Sequence, residues 1–97
     1  MGNVGFHDGS TLHIPDHVLT RRASGETVLL SLETEQYYSL SDVGSRVWEL
    51  IEAGVALPTV IATVADEYDA TLTIVTADIT ELVTDLAAKG LLSIDAP

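Results

Sequence analysis

The sequence predicts an α+β domain in which an N-terminal three-stranded antiparallel sheet is followed by three helices. Between Val18 and Leu40, apolar and β-branched residues occur in short runs separated by turn residues, which is typical of strands. From Ser41 onward, apolar residues recur at spacings of three and four, which indicates amphipathic helices. Each element has one apolar face to bury, so the sheet and the helices must share a core.

Three short runs form the predicted sheet. The first, Val18–Ala23, precedes Ser24-Gly25, which is a tight-turn signal, and the second is Thr27–Leu32. A short polar link leads to the third run, Gln36–Leu40. Turns this short join antiparallel neighbours, so we expect a meander whose first and third strands are edges with unpaired backbone groups.

The first predicted helix follows the third strand directly. Ser41 is placed as its N-cap, and Gly54 ends it as a C′ residue. Its apolar face consists of Val43, Val47, Trp48, Leu50 and Ile51. Trp48 is the single tryptophan of the chain and lies on this face, so we interpret it as a core anchor.

Two further helices complete the domain. Pro58 suits the first turn of the second helix, which should end near Asp69. The third helix can start at Thr73 or Thr76 and runs to Lys89. The glycine after Lys89 is its C-cap, and the two leucines that follow fold back as a short apolar tail.

Length and composition predict one folded unit in the cytoplasm. We assign residues 1–15, which contain three glycines and end at a proline, to a loose arm, and residues 16–97 to a single domain. The hydrophobic content of 46% supports a folded chain, and the absence of cysteine excludes disulfides and thiol chemistry. No signal peptide and no apolar run long enough for a membrane span is present.

Charge and motifs exclude several classes of function. A formal net charge of −11 disfavours nucleic acid and other polyanions as partners. The sequence has no GxSxG, HExxH or Gly-rich phosphate loop, so we expect neither catalysis nor a cofactor. His7, His13 and His17 match no metal-ligand spacing and are interpreted as surface residues.

The third strand and the third helix leave two alternatives open. Tyr37 and Tyr38 point to opposite faces of a strand, so one packs inside and the other stays partly exposed. On the third helix, one stripe faces the core and a neighbouring one could line a groove with acidic margins. The core stripe is Val75, Ile79, Leu82 and Leu86, and the groove stripe is Val75, Asp78, Leu82 and Asp85. Periodicity alone favours an ordinary amphipathic helix with a solvated acidic side.

From about Leu12 to Ile94 the chain resembles the PqqD-like family, which comprises small peptide-recognition domains of ribosomal peptide natural-product pathways. Within it, the chain is most similar to the stand-alone leader-binding proteins of lasso-peptide biosynthesis. The motifs that carry the resemblance occur in order and cover most of the chain. They are Pro15-Asp16-His17-Val18, VLLS at Val28–Ser31, YYSLSDVGSRVWELIEAG at Tyr37–Gly54, Ile61 to Tyr68, Val75 to Leu86 with Asp78-Ile79 and Leu82-Val83, and Gly90-Leu91-Leu92. The chain departs from the pattern at Ser31, where Asp is common, and at Glu35, where the hairpin often has Gly.

The resemblance implies a winged helix-turn-helix-like fold that performs no chemistry itself. Such domains bind the leader segment of a precursor peptide as an added strand beside the third strand, with leader side chains pressed toward the third helix. They present the precursor to a cysteine-protease-like leader peptidase, after which a macrolactam cyclase acts. Carried onto this chain, the resemblance implies ten peptide-binding residues. They are Gln36, Tyr37, Tyr38, Ser39, Leu40, Val75, Asp78, Ile79, Leu82 and Asp85.

Two other functions remain alternatives. A winged-helix fold could bind DNA, but the acidic third helix lacks the Arg, Lys, Asn and Gln side chains that read base edges. The edge strand could instead pair with a second copy of the chain. For docking of the peptidase, the acidic side of the first helix is a candidate surface.

Overall fold

The computed structural model describes residues 11–95 of the chain. This part of the chain holds a three-stranded antiparallel sheet followed by three helices, so the predicted α+β class is confirmed. A second, two-stranded ladder joins the two ends of the described chain. The elements are β1 (Thr11–His13), β2 (Val18–Ala23), β3 (Glu26–Ser31), β4 (Gln36–Ser41), α1 (Val43–Glu52), α2 (Leu57–Glu67), α3 (Leu72–Ala88) and β5 (Ser93–Asp95).

The main sheet is a meander with the order β2-β3-β4. Ser24 and Gly25 join β2 to β3 and both have positive φ, as a type I′ hairpin turn requires. The register places Leu30 opposite both Leu19 and Tyr37. On β3, alternate residues are buried, so one face of the sheet packs on the core and the other faces outward.

α1 packs on the inner face of this sheet and carries the centre of the core. Trp48 is fully buried, and its indole N–H donates a hydrogen bond to the Thr20 hydroxyl of β2 at 3.0 Å. The hydroxyls of Thr27 on β3 and Ser45 on α1 also form a hydrogen bond. Two partly buried hydrogen bonds therefore connect the helix to both β2 and β3, and the interpretation of Trp48 as a core residue is confirmed.

The junction of β4 and α1 differs from the prediction. Ser41 is the last residue of β4 and not the helix N-cap, which is Asp42. Asp42 has a φ of 49° and its side chain makes no capping hydrogen bond. The sheet extends one residue further than expected because Ser41 pairs with Glu26 of β3.

The turn between β3 and β4 forms despite its two departures from the family pattern. Glu35 adopts a φ of 61°, a left-handed conformation that favours glycine. Its N–H donates to the Ser31 carbonyl at 2.7 Å, and the N–H of Thr34 donates to Ser31 Oγ at 3.3 Å. The Ser31 hydroxyl thus accepts a local backbone hydrogen bond of the kind that an Asp carboxylate makes in similar turns.

Part of the arm predicted to be loose is a strand. Thr11–His13 pairs antiparallel with Ser93–Asp95, so the segment after Leu91-Leu92 is also a strand and not only an apolar tail. Leu12 lies opposite Ile94, and both pack against the core. Strands this short have little sequence signal of their own and depend on their partner. Residues 1–10 of the arm lie outside the described residues.

The ends of the other helices follow the sequence closely. Pro58 lies in the first turn of α2, as predicted, and α3 begins at Leu72, one residue before the earlier of its two predicted starts. Gly54 and Gly90 have φ of 84° and 75° and follow the C-caps of α1 and α3, which confirms their role as C′ residues. Within residues 11–95, every helix is too short or too polar to span a bilayer.

Candidate peptide-binding site

Within the described part of the chain, β4 has one paired edge and one open edge. Its partner is β3, and no other strand within residues 11–95 pairs with it. The described part of the arm lies elsewhere, because Thr11–His13 pairs with β5. The predicted strand residues Gln36, Tyr37, Tyr38, Ser39 and Leu40 all belong to this open-edged strand.

Side chains of β4 alternate between the two faces of the sheet. Tyr38 and Leu40 lie opposite Leu29 and Thr27, which are buried, so both point to the inner face and are half-buried themselves. Tyr37 lies opposite Leu30 on the outer face and is 71% exposed. The two neighbouring tyrosines therefore serve different surfaces.

Side chains of β4 and α3 approach each other beside the open edge, and we call the surface formed by these side chains the β4–α3 groove. Its walls are Tyr38 and Leu40 of β4, the start of α1, and the α3 residues Leu82, Asp85 and Lys89. Gly44 of α1 lies between Leu40 and Leu82. A Cβ atom at Gly44 would lie 3.6 Å from Leu40 and 3.9 Å from Leu82. The missing side chain leaves room between the two leucines.

The other end of the groove is bridged by polar contacts. Lys89 Nζ lies 5.8 Å from the centre of the Tyr38 ring and 2.6 Å from Asp85 Oδ2. The Tyr38 hydroxyl donates a hydrogen bond to Gln36 Oε1 at 3.0 Å. These contacts hold the Tyr38 ring against the last turn of α3, and Asp85, which was predicted to bind peptide, pairs with Lys89 within this chain.

The predicted residues on α3 divide into two groups. Val75 and Ile79 are 6% and 1% exposed and belong to the core, so they support the groove from beneath and do not line it. Asp78, Leu82 and Asp85 lie on the accessible side of the helix. Together with Glu81 they line an open pocket of about 450 Å³. The structure thus brings together the acidic and apolar residues of the predicted groove stripe, except for Val75.

The outer face of the sheet carries a second apolar surface, which we call the outer sheet face. Leu19, Leu30 and Tyr37 form a row across the three strands, and Val28 lies beside them. Leu19 is 49% exposed. These residues and the neighbouring Arg21 line a depression of about 340 Å³. Among the ion pairs of residues 11–95, none involves Arg21, whereas Arg22, Arg46 and Lys89 are all paired.

The acidic side of α1 is occupied by contacts within the chain. Glu49 and Glu52 pair with Arg46 and Arg22 at 2.6 Å and 2.5 Å. Arg46 also binds Glu67 of α2 at 2.7 Å, and this guanidinium lowers the pKa of the Glu67 carboxyl. Glu49 and Glu52, the acidic residues on this side of α1, therefore already have basic partners within the chain.

Sequence reasoning missed two residues of the groove. Gly44 stands inside a predicted helix, where a glycine is unfavourable, and this is a signal of close packing that could have identified it. Glu81 is not among the predicted site residues, although it lies one turn before Asp85 and lines the same pocket. Neither residue belongs to a motif with its own chemistry.

Comparison with known proteins identifies the family. The family model for coenzyme PQQ synthesis protein D matches residues 26–92, which is more than half of the chain. The chain belongs to the PqqD family. This match confirms the resemblance that the motifs of the sequence indicated. No curated protein sequence matches this PqqD-family chain significantly.

Two solved structures share the fold. The structure "TbiB1 in Complex with the TbiA(beta) Leader Peptide" is 35% identical, with a TM-score of 0.80 over 82% of this chain and 93% of that chain. The structure "Lasso peptide synthetase B1 complexed with the leader peptide" is 22% identical, with a TM-score of 0.78 over 84% of this chain and 96% of that chain. The second likeness extends to the fold alone.

Proposed function

We propose that this protein binds the leader segment of a ribosomally made precursor peptide as an added strand on β4. It then presents the precursor to the leader peptidase, and afterwards to the macrolactam cyclase, of a lasso-peptide pathway in the cytoplasm. In this role the protein performs no covalent chemistry. The single observation that carries the proposal is the open edge of β4 beside the β4–α3 groove.

The geometry supports recognition of an extended peptide. An open strand edge offers backbone hydrogen bonds to any sequence, while a groove next to it discriminates between side chains. Alternate residues of an added strand would lie over Tyr38, Leu40 and Leu82. The 35% identical TbiB1 structure, which contains a leader peptide, favours a leader segment as this peptide.

The energies of such a complex suit reversible binding. A strand of about five residues makes several backbone hydrogen bonds worth about 1 kcal/mol each. Two apolar side chains buried in the groove add about 1.5–3 kcal/mol each, and ordering a disordered leader costs about 2–5 kcal/mol. The balance leaves a net of a few kcal/mol, which corresponds to a reversible complex whose specificity depends on the two apolar side chains.

The outer sheet face supports the presentation step. It lies on the opposite side of the sheet from the groove, so a partner could contact it while a leader occupies β4. Leu19, Leu30 and Tyr37 form the apolar patch that a protein interface needs, and Arg21, which makes no ion pair within residues 11–95, adds a cation for an acidic group of the partner. We therefore assign peptidase docking to this face and not to α1.

Titration calorimetry tests the binding step. The two probes are the TbiA(beta) leader peptide and the leader of any short precursor peptide found by sequencing the genes next to the one for this protein. We expect one-to-one binding of at least one leader, and no binding of the same peptide with its residue order scrambled. Absence of binding for both leaders would contradict the proposal.

A variant on the outer sheet face tests the presentation step separately. Leu19→Asp places a charge in the apolar row, on the strand farthest from β4. Leader affinity should stay unchanged, while cleavage of the precursor by the peptidase should slow at least about tenfold. Thr84→Asp, at an exposed position on α3, is the matched control. Equal cleavage rates would exclude the outer sheet face as the docking surface.

The alternative functions have weaker support. DNA binding requires basic residues to neutralise phosphates, and the α3 face that borders the groove instead carries Asp78, Glu81 and Asp85. Pairing of β4 with a second copy would bring together two chains of net charge −11. A mobility-shift assay at low salt and a concentration series in sedimentation measure these two alternatives directly.

A further inference from the structure

The hydrogen-bond pattern of the sheet determines which backbone groups of β4 are free. In an antiparallel pair, successive residues alternate between positions that bond to the partner strand and positions that point away from it. The position of one hydrogen bond in the ladder therefore sets the pattern for the strands beyond it. The Leu32 N–H donates to the His17 carbonyl at 2.8 Å, at the end of the β2–β3 pairing.

From this bond the pattern can be followed across β3. His17 and Leu32 form a hydrogen-bonded pair, so Leu30 and Val28, two and four residues earlier, also direct their backbone groups toward β2. The intervening residues of β3 must bond to β4. Two separate observations agree with this assignment. The Ser31 carbonyl accepts the N–H of Glu35, so it points toward β4. The Ser24-Gly25 turn is closed by the pair Ala23 and Glu26, and Glu26 lies an even number of residues before Leu30, so both direct their backbone groups toward β2.

The same alternation continues into β4. Gln36, Tyr38 and Leu40 lie opposite Ser31, Leu29 and Thr27 and bond to β3. Tyr37 and Ser39 lie opposite Leu30 and Val28, whose backbone groups are used by β2. The N–H and C=O groups of Tyr37 and Ser39 therefore point to the open edge.

We infer that the backbone N–H and C=O groups of Tyr37 and Ser39 are the hydrogen-bonding groups that bind the leader strand. This inference rests on the proposed function and specifies its atoms. The side chains of these two residues point to the outer face, whereas Tyr38 and Leu40, whose side chains border the groove, have their backbone groups committed to β3. Alternate residues of β4 thus have different roles: one set bonds to the leader backbone, and the other set contacts leader side chains in the groove.

A proline substitution on the protein tests this assignment. Ser39→Pro removes an N–H that the sheet itself does not use, and proline is tolerated on an edge strand when its nitrogen faces away from the partner. We expect this variant to keep its circular dichroism spectrum and to bind the leader that wild type binds at least about tenfold more weakly. Arg22→Pro is the matched control, because by the same alternation it removes an unused N–H from the other edge strand, β2, and it should bind the leader like wild type.

A scan of the peptide keeps the inference testable if Ser39→Pro does not fold. Each residue of the bound leader is replaced in turn by its N-methylated form, and binding to the wild-type protein is measured. Weakening at every second position supports bonding to alternate residues of β4, whichever way the leader runs. Equal effects at successive positions would overturn the inference, as would wild-type affinity of a folded Ser39→Pro variant. Failure of the unmodified leaders to bind wild type would instead overturn the proposed function.

Discussion

The indole N–H of Trp48 donates a hydrogen bond to the Thr20 hydroxyl at 3.0 Å, across the interface between α1 and β2. Trp48 is fully buried, and α1 also contributes Gly44 to the β4–α3 groove. The contact therefore sets the position of the helix whose first turn borders the peptide-binding site. Stability of the core and the shape of the groove are coupled through α1.

Trp48→Ala should lower the free energy of unfolding by about 3–5 kcal/mol, because it removes the largest fully buried side chain of the core. Urea unfolding followed by circular dichroism measures this change. Trp48→Phe keeps an aromatic ring and removes only the N–H and part of the volume, so it should lower the free energy of unfolding by less than Trp48→Ala does. An unchanged unfolding midpoint for Trp48→Ala would show that the core assignment is wrong.

Leu82→Asp should raise the dissociation constant of the leader at least about tenfold with little change in helix content, because a charge then lies in the groove. Thr84→Asp introduces the same charge on an exposed part of α3 away from the core, and its affinity should match that of wild type. Calorimetry with the leader that wild type binds gives both values. If Leu82→Asp bound as tightly as Thr84→Asp, α3 would not form part of the site.

Gly44→Ala should fold and bind leader like wild type, because its Cβ makes ordinary contacts with Leu40 and Leu82 at 3.6 and 3.9 Å. Because alanine favours a helix more than glycine does, the free energy of unfolding of Gly44→Ala should rise by as much as about 1 kcal/mol. Gly44→Leu extends over the two leucines and should weaken leader binding without unfolding the protein. Thermal melts and calorimetry separate the two effects, and tight binding by a folded Gly44→Leu variant would remove Gly44 from the groove.

Glu35→Gly should be more stable than Glu35→Ala by about 1 kcal/mol, because the φ of 61° at this position is unfavourable for any residue with a Cβ. Both variants remove the same carboxylate, so the difference between their free energies of unfolding reports the cost of the left-handed backbone conformation. Urea unfolding measures the difference, and equal midpoints would show that the left-handed conformation is not strained here.

Local sequence signals predicted the sheet and its turns well. Ser24-Gly25 and the short link before Gln36 allow only antiparallel neighbours, so the meander and its open third strand follow from chain length and turn chemistry. Gly54 and Gly90 ended their helices as expected, because positive φ has a low cost only for glycine. The strand–helix junction at Ser41 differed from the prediction, because pairing with Glu26 outweighed its capping preference, and the ladder between Thr11–His13 and Ser93–Asp95 was not predicted.

The sequence by itself therefore determined the order of elements, the core tryptophan and the strand that offers an open edge, since these depend on patterns within a few residues. Tertiary structure alone decided which side of α3 meets the groove. Val75 and Asp78 are one turn apart and both fit the predicted stripe, yet packing buries the first and exposes the second. Likewise, only folding brings Thr11–His13 to Ser93–Asp95. A helix can rotate about its axis without changing its periodicity, so contacts between elements distant in the chain must choose its orientation.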